Sequence, residues 1–180
     1  MKKRRVLGVL LTAVIAIVVV SATLGRAIYN GQSPTITSFA LIHFAGYLFF
    51  LLMPVEALVP IYQNEGHAGS TLIVVAVVSA ILAQLIDYGI GRSVREGSIH
   101  EVIGEKRYVR FKATIEKWGG WAILFFNLLP LSSPNMLLVA GMTRYSARRA
   151  FLYSTLGLTG KYVAIVYAFE PISAWLASAS

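Results

Sequence analysis

The sequence predicts an all-α polytopic membrane protein, with an N-terminal transmembrane helix followed by an inverted repeat. Each half of that repeat is a re-entrant, proline-broken hairpin and then a transmembrane helix. Three observations carry this expectation. Hydrophobic residues make up 57% of the chain and charged residues 13%, with a mean hydropathy of +0.69, too apolar for an ordinary soluble domain. The apolar residues gather in runs of about 20, long enough to cross a hydrocarbon core. The basic residues sit at the ends of those runs, in a pattern that obeys the positive-inside rule only if two of the runs turn back.

The first element is Lys2-Lys-Arg-Arg5 followed by Val6 to Val20, a basic flank and an apolar segment. This fits a signal anchor or a cleavable signal peptide. The anchor is favoured, because Ser21-Ala-Thr-Leu-Gly25 is a weak cleavage site and the apolar character continues to Leu24. With the polar stretch Arg26 to Ser38 it forms a unit, residues 1–38, of anchor and outer linker. The apolar regions that follow are Phe39 to Tyr62, Thr71 to Ile90, Gly119 to Met142 and about Arg148 to Phe169.

The loop from Arg92 to Lys117 holds Arg92, Arg95, Lys106, Arg107, Arg110, Lys112 and Lys117, so it should be cytoplasmic. With Lys2 to Arg5 also inside, the first helix emerges outside. If Phe39–Tyr62 then crossed fully, Thr71–Ile90 would leave the basic loop outside. A hairpin that enters from outside and turns back at Pro54 and Pro60 removes the conflict. By the same argument Gly119–Met142, broken at Pro130 and Pro134, is a second hairpin, which keeps Arg144, Arg148 and Arg149 inside. The tail, residues 170–180, then lies outside a multi-pass cell-membrane protein. Hairpin then span from outside, followed by hairpin then span from inside, is the inverted repeat of many secondary transporters, which bind near the midplane where broken segments meet. The competing reading keeps these prolines as kinks in ordinary spanning helices.

Composition also narrows the function. The net charge of +8 does not point to nucleic acid, because the bases lie beside apolar runs, where they face lipid headgroups. There are no cysteines, hence neither disulfides nor thiolate metal sites. His43, His67 and His100 are scattered, so neither metal nor other cofactor is expected.

Pro54-Val-Glu-Ala-Leu-Val-Pro60, Asp87-Tyr-Gly-Ile-Gly-Arg92, Trp118-Gly-Gly, Pro130, Ala140-Gly-Met and Phe151 resemble, in this order, the DedA family of membrane proteins, also called the SNARE-associated or VTT domain. The likeness covers residues 39–169. It implies two opposed re-entrant hairpins and transport of lipids, either a polyprenyl phosphate carrier or phospholipid, often linked to the proton gradient, with scramblases among eukaryotic relatives. By position Glu56 matches the family's acid of the first hairpin, and Gly91-Arg92 its Gly-Arg pair. The family's second hairpin usually carries arginines three residues before and after its proline; here those positions are Asn127 and Ser133. A second acid commonly lies about a dozen residues before the first-hairpin acid, where this chain has Phe44 beside His43.

The residues expected to carry the chemistry are the polar ones inside apolar runs. A charge there costs at least about 2.5–3.5 kcal/mol on insertion scales, so it faces a partner or a wet cavity. Glu56, between two prolines, is suited to carrying a proton; its plainer role is to accept hydrogen bonds from freed backbone N–H groups at the hairpin tip. Lys161 lies in Gly157-Leu-Thr-Gly-Lys-Tyr162, where small residues permit close helix contact. It pairs with Glu56, binds a phosphate in place of a missing arginine, or snorkels to an interface. Asp87 shares a helix face with Gln84; it either lines the cavity as a third proton-carrying candidate or pairs with Arg92 as an anchor.

Asn127, Ser132, Ser133 and Asn135 are expected to bind a headgroup, since polar side chains and open backbone N–H groups around Pro130 and Pro134 suit a phosphate; Arg92 joins the set as the residue that the resemblance matches to the family's Gly-Arg pair. The alternative is that they satisfy only the break's own backbone. Loop 92–117, with Val102, Ile103, Val109, Phe111 and Ile115 among its charges, reads as an amphipathic helix on the inner leaflet that attracts anionic headgroups, or as a topology signal alone. Trp118, Trp121 and Trp175 read as interface anchors.

These readings converge on a transporter or scramblase for a phosphorylated lipid, with membrane lipids as its partners and homo-oligomerisation left open. Proton- or sodium-coupled export of small cations through Glu56 and Asp87 is an alternative, as is a non-transporting assembly factor that recruits partners through the basic loop. An enzyme is not expected: there is no paired His, no metal-binding carboxylate cluster and no Ser-His-acid arrangement.

Overall fold

The computed structural model describes residues 34–48, 55–93, 105–129 and 133–179. The expected N-terminal anchor, Pro54, Pro130 and Ser132 lie outside these residues. Every regular element among them is helical: α1 Ile36–Tyr47, a 3-10 turn Val55–Ala57, α2 Leu58–Asn64, α3 Gly69–Ser93, α4 Glu105–Trp118, α5 Gly120–Leu128, α6 Ser133–Met142 and α7 Ala147–Ala179.

α1 opens on a capping box. The Thr35 hydroxyl accepts from the Ser38 N–H at 3.2 Å and the Ser38 hydroxyl accepts from the Thr35 N–H at 3.0 Å. The helix ends at Tyr47 and the chain doubles back. Val55 packs against Gly46, where a Cβ would collide with it; the Tyr62 hydroxyl lies 2.7 Å from Ser38 Oγ; and His67 Nε2 is 2.7 Å from the Pro34 carbonyl. Partner numbers rise as the α1 numbers fall, so α1 and the arm Val55–Asn64 pack antiparallel. Each arm is about 15–18 Å long, roughly half of a hydrocarbon core.

Pro60 falls in the first turn of α2 and Pro134 in the first turn of α6. A proline there forfeits no intrahelical hydrogen bond. Each therefore stands near the start of a helix rather than in its interior.

α3 has 25 residues and, among the described residues, is the helix long and apolar enough to cross a membrane. Its buried stripe is mostly small or polar, Ala76, Ser79, Ala80, Ala83, Gln84, Asp87 and Gly91, with Leu72 and Tyr88 as the larger members. Its exposed stripe is Val74, Val78, Leu82, Leu85 and Ile86. Large apolar groups outward and small or polar groups inward is the arrangement that lipid favours and water does not.

α4 is the amphipathic helix expected in the basic loop, but its apolar face has a different partner. Tyr108, Phe111 and Ile115 are buried in one cluster with Ala122, Ile123, Met136 and Val139, and the Phe111 ring lies 5.5 Å from that of Phe126. This face packs on α5 and α6, while Val109 on the other side is 55% exposed. Gly119, with φ +56°, makes the corner into α5, a backbone conformation that a side chain would strain.

α3 and α7 run antiparallel. A Cβ on Gly69 would meet Val166, and Ser154 bonds to Gln84, so positions on α7 fall as those on α3 rise. α5 runs parallel to α7, with Gly120 against Tyr153, Gly157 against the Leu124 carbonyl and Gly160 against Leu128. α6 crosses α3 through a reciprocal glycine contact: a Cβ on Gly91 would strike the Leu138 carbonyl, and one on Gly141 the Tyr88 carbonyl. Two apolar clusters result. One joins α1, α2, the first half of α3 and the middle of α7; the other joins the end of α3 with α4, α5, α6 and the start of α7.

Candidate functional site

α7 carries its buried polar side chains on one face. Ser154, Gly157, Leu158 and Lys161 recur at three- and four-residue spacing and are all buried. Ser154 and Lys161 are seven residues apart, about 10 Å along the axis, so each anchors a separate polar layer.

The first layer is built around Lys161, 3% exposed. Its ammonium donates to Glu56 Oε1 at 2.9 Å and to the Tyr47 hydroxyl at 3.0 Å. The Tyr47 and Tyr162 rings lie 5.6 and 5.8 Å from the same nitrogen, near enough for cation–π attraction. Tyr162 Oη is 3.2 Å from Tyr47 Oη and 2.5 Å from His43 Nε2; His43 Nδ1 is 2.8 Å from Ser79 Oγ. Four elements converge here: α1 supplies His43 and Tyr47, the 3-10 turn Glu56, α3 Ser79, and α7 Lys161 and Tyr162. Glu56 is on the most exposed side, at 23%. The 3-10 turn puts Glu56 at the head of the return arm, and the contact of Val55 on Gly46 holds that turn against α1.

The second layer joins α3, α5 and α7. Gln84 Nε2 donates to Asn127 Oδ1 at 2.6 Å, the Ser154 hydroxyl donates to Gln84 Oε1, and Asn127 Nδ2 donates to the Ile123 carbonyl at 2.8 Å. Gly157 permits this meeting, since a Cβ there would meet Asn127 Cβ and the Leu124 carbonyl. Asp87, one turn from Gln84 on the same face, is 1% exposed, and its Oδ2 has no hydrogen-bond partner among the described residues.

Of the residues singled out from the sequence, Glu56 and Lys161 are brought together. Asp87 is buried but not paired with Arg92, whose Nη1 donates instead to the Tyr88 hydroxyl at 3.2 Å. That hydroxyl in turn donates to the Tyr145 carbonyl at 2.6 Å, so Arg92 ties α3 to the segment after α6. Asn127 is fully buried, with both ends of its amide engaged inside the protein. Ser133 and Asn135 stand in the first turn of α6.

Sequence reasoning missed Tyr47, Ser79, Ser154 and Tyr162, and weighed His43 only as a metal ligand. One signal was available: His43 and Tyr47 are four residues apart and share a helix face, so a polar pair on an apolar helix was legible. Nothing local pointed to Ser79, 36 residues from His43, or Tyr162, 119 residues from it.

In comparison with known protein families, the model of the VTT domain matches residues 33–170. No curated protein and no solved structure matches the chain.

Proposed function

Given that the chain belongs to the VTT-domain family, the domain of DedA or SNARE-associated membrane proteins, we propose that it moves a phosphorylated lipid across the bilayer, with the headgroup captured at Lys161. The observation that carries this is the buried Lys161–Glu56 pair at the head of a short helical hairpin. An ammonium has three N–H donors, and two of them are used by Glu56 and Tyr47. The third suits an oxygen of a phosphate bound beside the Glu56 carboxylate. Glu56 stays the counter-ion of Lys161, and the headgroup brings a second negative charge to the site.

Several features support a re-entrant, inverted-repeat arrangement. The arms of α1 and α2 are each about half a bilayer long, as are α5 and α6. Each pair precedes a long helix, α3 or α7, and those two helices run antiparallel, as inverted halves require. On this reading α3 and α7 both cross, with the α4 segment cytoplasmic and its exposed bases Lys106, Arg110 and Lys117 facing anionic headgroups of the inner leaflet.

The test is fluorescent-lipid translocation in proteoliposomes, comparing the wild type with Glu56→Gln and Lys161→Met, with and without an imposed proton gradient. Translocation that falls in either variant supports the path at the pair, and gradient dependence separates a pump from a scramblase. Wild-type protein that is folded and correctly oriented but moves no phosphorylated lipid overturns the proposal. A second reading, export of a small cation, draws on the unpartnered carboxylate of Asp87 among the described residues. Solute flux that needs no lipid and is lost in Asp87→Asn would favour it.

A further inference from the structure

A line of hydrogen bonds leads from the ion pair into the protein and ends at a backbone carbonyl. It runs Lys161, Tyr47, Tyr162, His43, Ser79, with spacings of 3.0, 3.2, 2.5 and 2.8 Å. Its direction is set at the inner end. Ser79 has one hydroxyl proton and lies 2.7 Å from the Val75 carbonyl and 3.1 Å from the Ala76 carbonyl; with the proton given to either, it accepts from His43. Nδ1 of His43 therefore carries a hydrogen, and in the neutral ring Nε2 is an acceptor. Tyr162 then donates to Nε2, Tyr47 donates to Tyr162, and Lys161 donates to Tyr47. Each proton along the line points toward Nε2. A doubly protonated ring reverses the middle of the line, so that Nε2 donates to Tyr162 and Tyr162 donates to Tyr47.

We propose that His43 is a proton-binding site of this protein, filled when an anionic headgroup occupies Lys161 and reached through Glu56. The inference rests on the reading of Lys161 as the headgroup site. A proton from solvent adds to the Glu56 carboxylate, which at 23% exposure is the accessible end of the line, while Lys161 and Tyr47 are each 3% exposed and His43 and Tyr162 are fully buried. Lys161 then passes one N–H proton to Tyr47 Oη, Tyr47 passes its own to Tyr162 Oη, Tyr162 passes its own to His43 Nε2, and the protonated Glu56 passes its proton to Lys161 Nζ. One proton enters and one arrives. The carboxylate, ammonium and both phenols are restored, no bond between heavy atoms changes, and the site gains one positive charge as imidazolium.

Charge balance supplies the coupling. The groups that face His43 are Tyr47 on its own helix, stacked at 5.0 Å between ring centroids, Ser79 from α3, and Tyr162 with Lys161 from α7. Glu56 lies behind Lys161 on the 3-10 turn, and Tyr62 of α2 is engaged by Ser38 on the far side of Phe39. The charges among these are the paired Glu56 and Lys161, which cancel. An imidazolium added to that neutral pair has no counter-charge, and a bound anionic headgroup provides it.

The experiment uses the full chain in detergent with dihexanoyl phosphatidylglycerol, whose phosphodiester keeps one negative charge near neutral pH. Calorimetric titration in buffers of different ionisation enthalpy counts protons taken up as the lipid binds. The wild type should take up one proton per lipid bound. His43→Gln and Tyr162→Phe should still bind and take up none. Undiminished uptake in His43→Gln overturns the proposal. Wild-type protein labelled with 15N-histidine needs no substitution in the line: the His43 Nε2 resonance should move from the pyridine type to the pyrrole type on adding lipid, and an unmoved resonance also overturns the proposal. Binding that survives Lys161→Met overturns the headgroup reading itself, an outcome the proton count cannot imitate.

Discussion

The Lys161 ammonium lies 2.9 Å from a carboxylate oxygen of Glu56, across 105 residues of chain. The contact fastens the return arm of the first hairpin to the longest helix, which also carries the second polar layer at Ser154. The two charges differ in exposure, 3% for Lys161 and 23% for Glu56, and that asymmetry decides how each responds to loss of the other.

Glu56→Ala should destabilise the protein strongly, by about 3–5 kcal/mol, because it leaves a buried ammonium with Tyr47 as its remaining partner. Lys161→Met should cost less, since the more exposed carboxylate can recover water. The double variant Glu56→Ala/Lys161→Met should regain part of the loss. Thermal unfolding in detergent, read as a double-mutant cycle, checks the order; additive losses would mean that the pair is not coupled.

The reciprocal glycines of α3 and α6 predict a sharp contrast. Gly91→Ala and Gly141→Ala each drive a methyl group into backbone of the facing helix and should cost about 1–3 kcal/mol. Gly89→Ala, two positions away with open space around it, should be neutral or stabilising by up to about 1 kcal/mol. The same unfolding measurement separates them.

In the second layer, Asn127→Leu should cost about 1–3 kcal/mol, because it strands the Gln84 amide N–H and leaves Ser154 bonded to a poorly held partner. Asn127→Arg, which installs the residue that the family usually carries there, should lower stability further, since the position is fully buried against Gln84. An arginine tolerated at wild-type stability would show that the layer opens.

The exposed bases of α4 should act through charge alone. Replacing Lys106, Arg110 and Lys117 with Gln should slow translocation from vesicles rich in anionic lipid at low salt. At about 1 M salt, where screening acts within roughly 3 Å, the variant and the wild type should transport equally. A defect that persists in high salt would instead assign these residues a structural role.

Much of the outline was legible because it depends on local quantities. Composition identified a membrane protein. The prolines and the distribution of Arg92 to Lys117 led to an expectation of two chain reversals; among the described residues, helices end at Tyr47 and Leu128. Ordered short motifs identified the family, which the match over residues 33–170 bears out. Glu56, Asp87 and Lys161 stood out because each is an ionisable group inside an apolar run.

What joined these residues was not local. Whether Lys161 snorkels, binds anions alone or pairs with Glu56 depends on the antiparallel register of α3 and α7 and on where the first hairpin docks. Short-range spacing contains neither. Pairing of Asp87 with Arg92, five positions apart, was a sequence-local guess; the packing buries the acid and turns the guanidinium to Tyr88. Likewise the apolar face of α4 was legible as a face, but whether lipid or protein covers it was not, since Tyr108, Phe111 and Ile115 satisfy either. By itself the sequence determined which groups are too polar for their surroundings. Only the tertiary structure decided which of them meet, because desolvation is set by each residue's own neighbourhood along the chain, whereas a hydrogen-bond partner is set by the packing of whole helices.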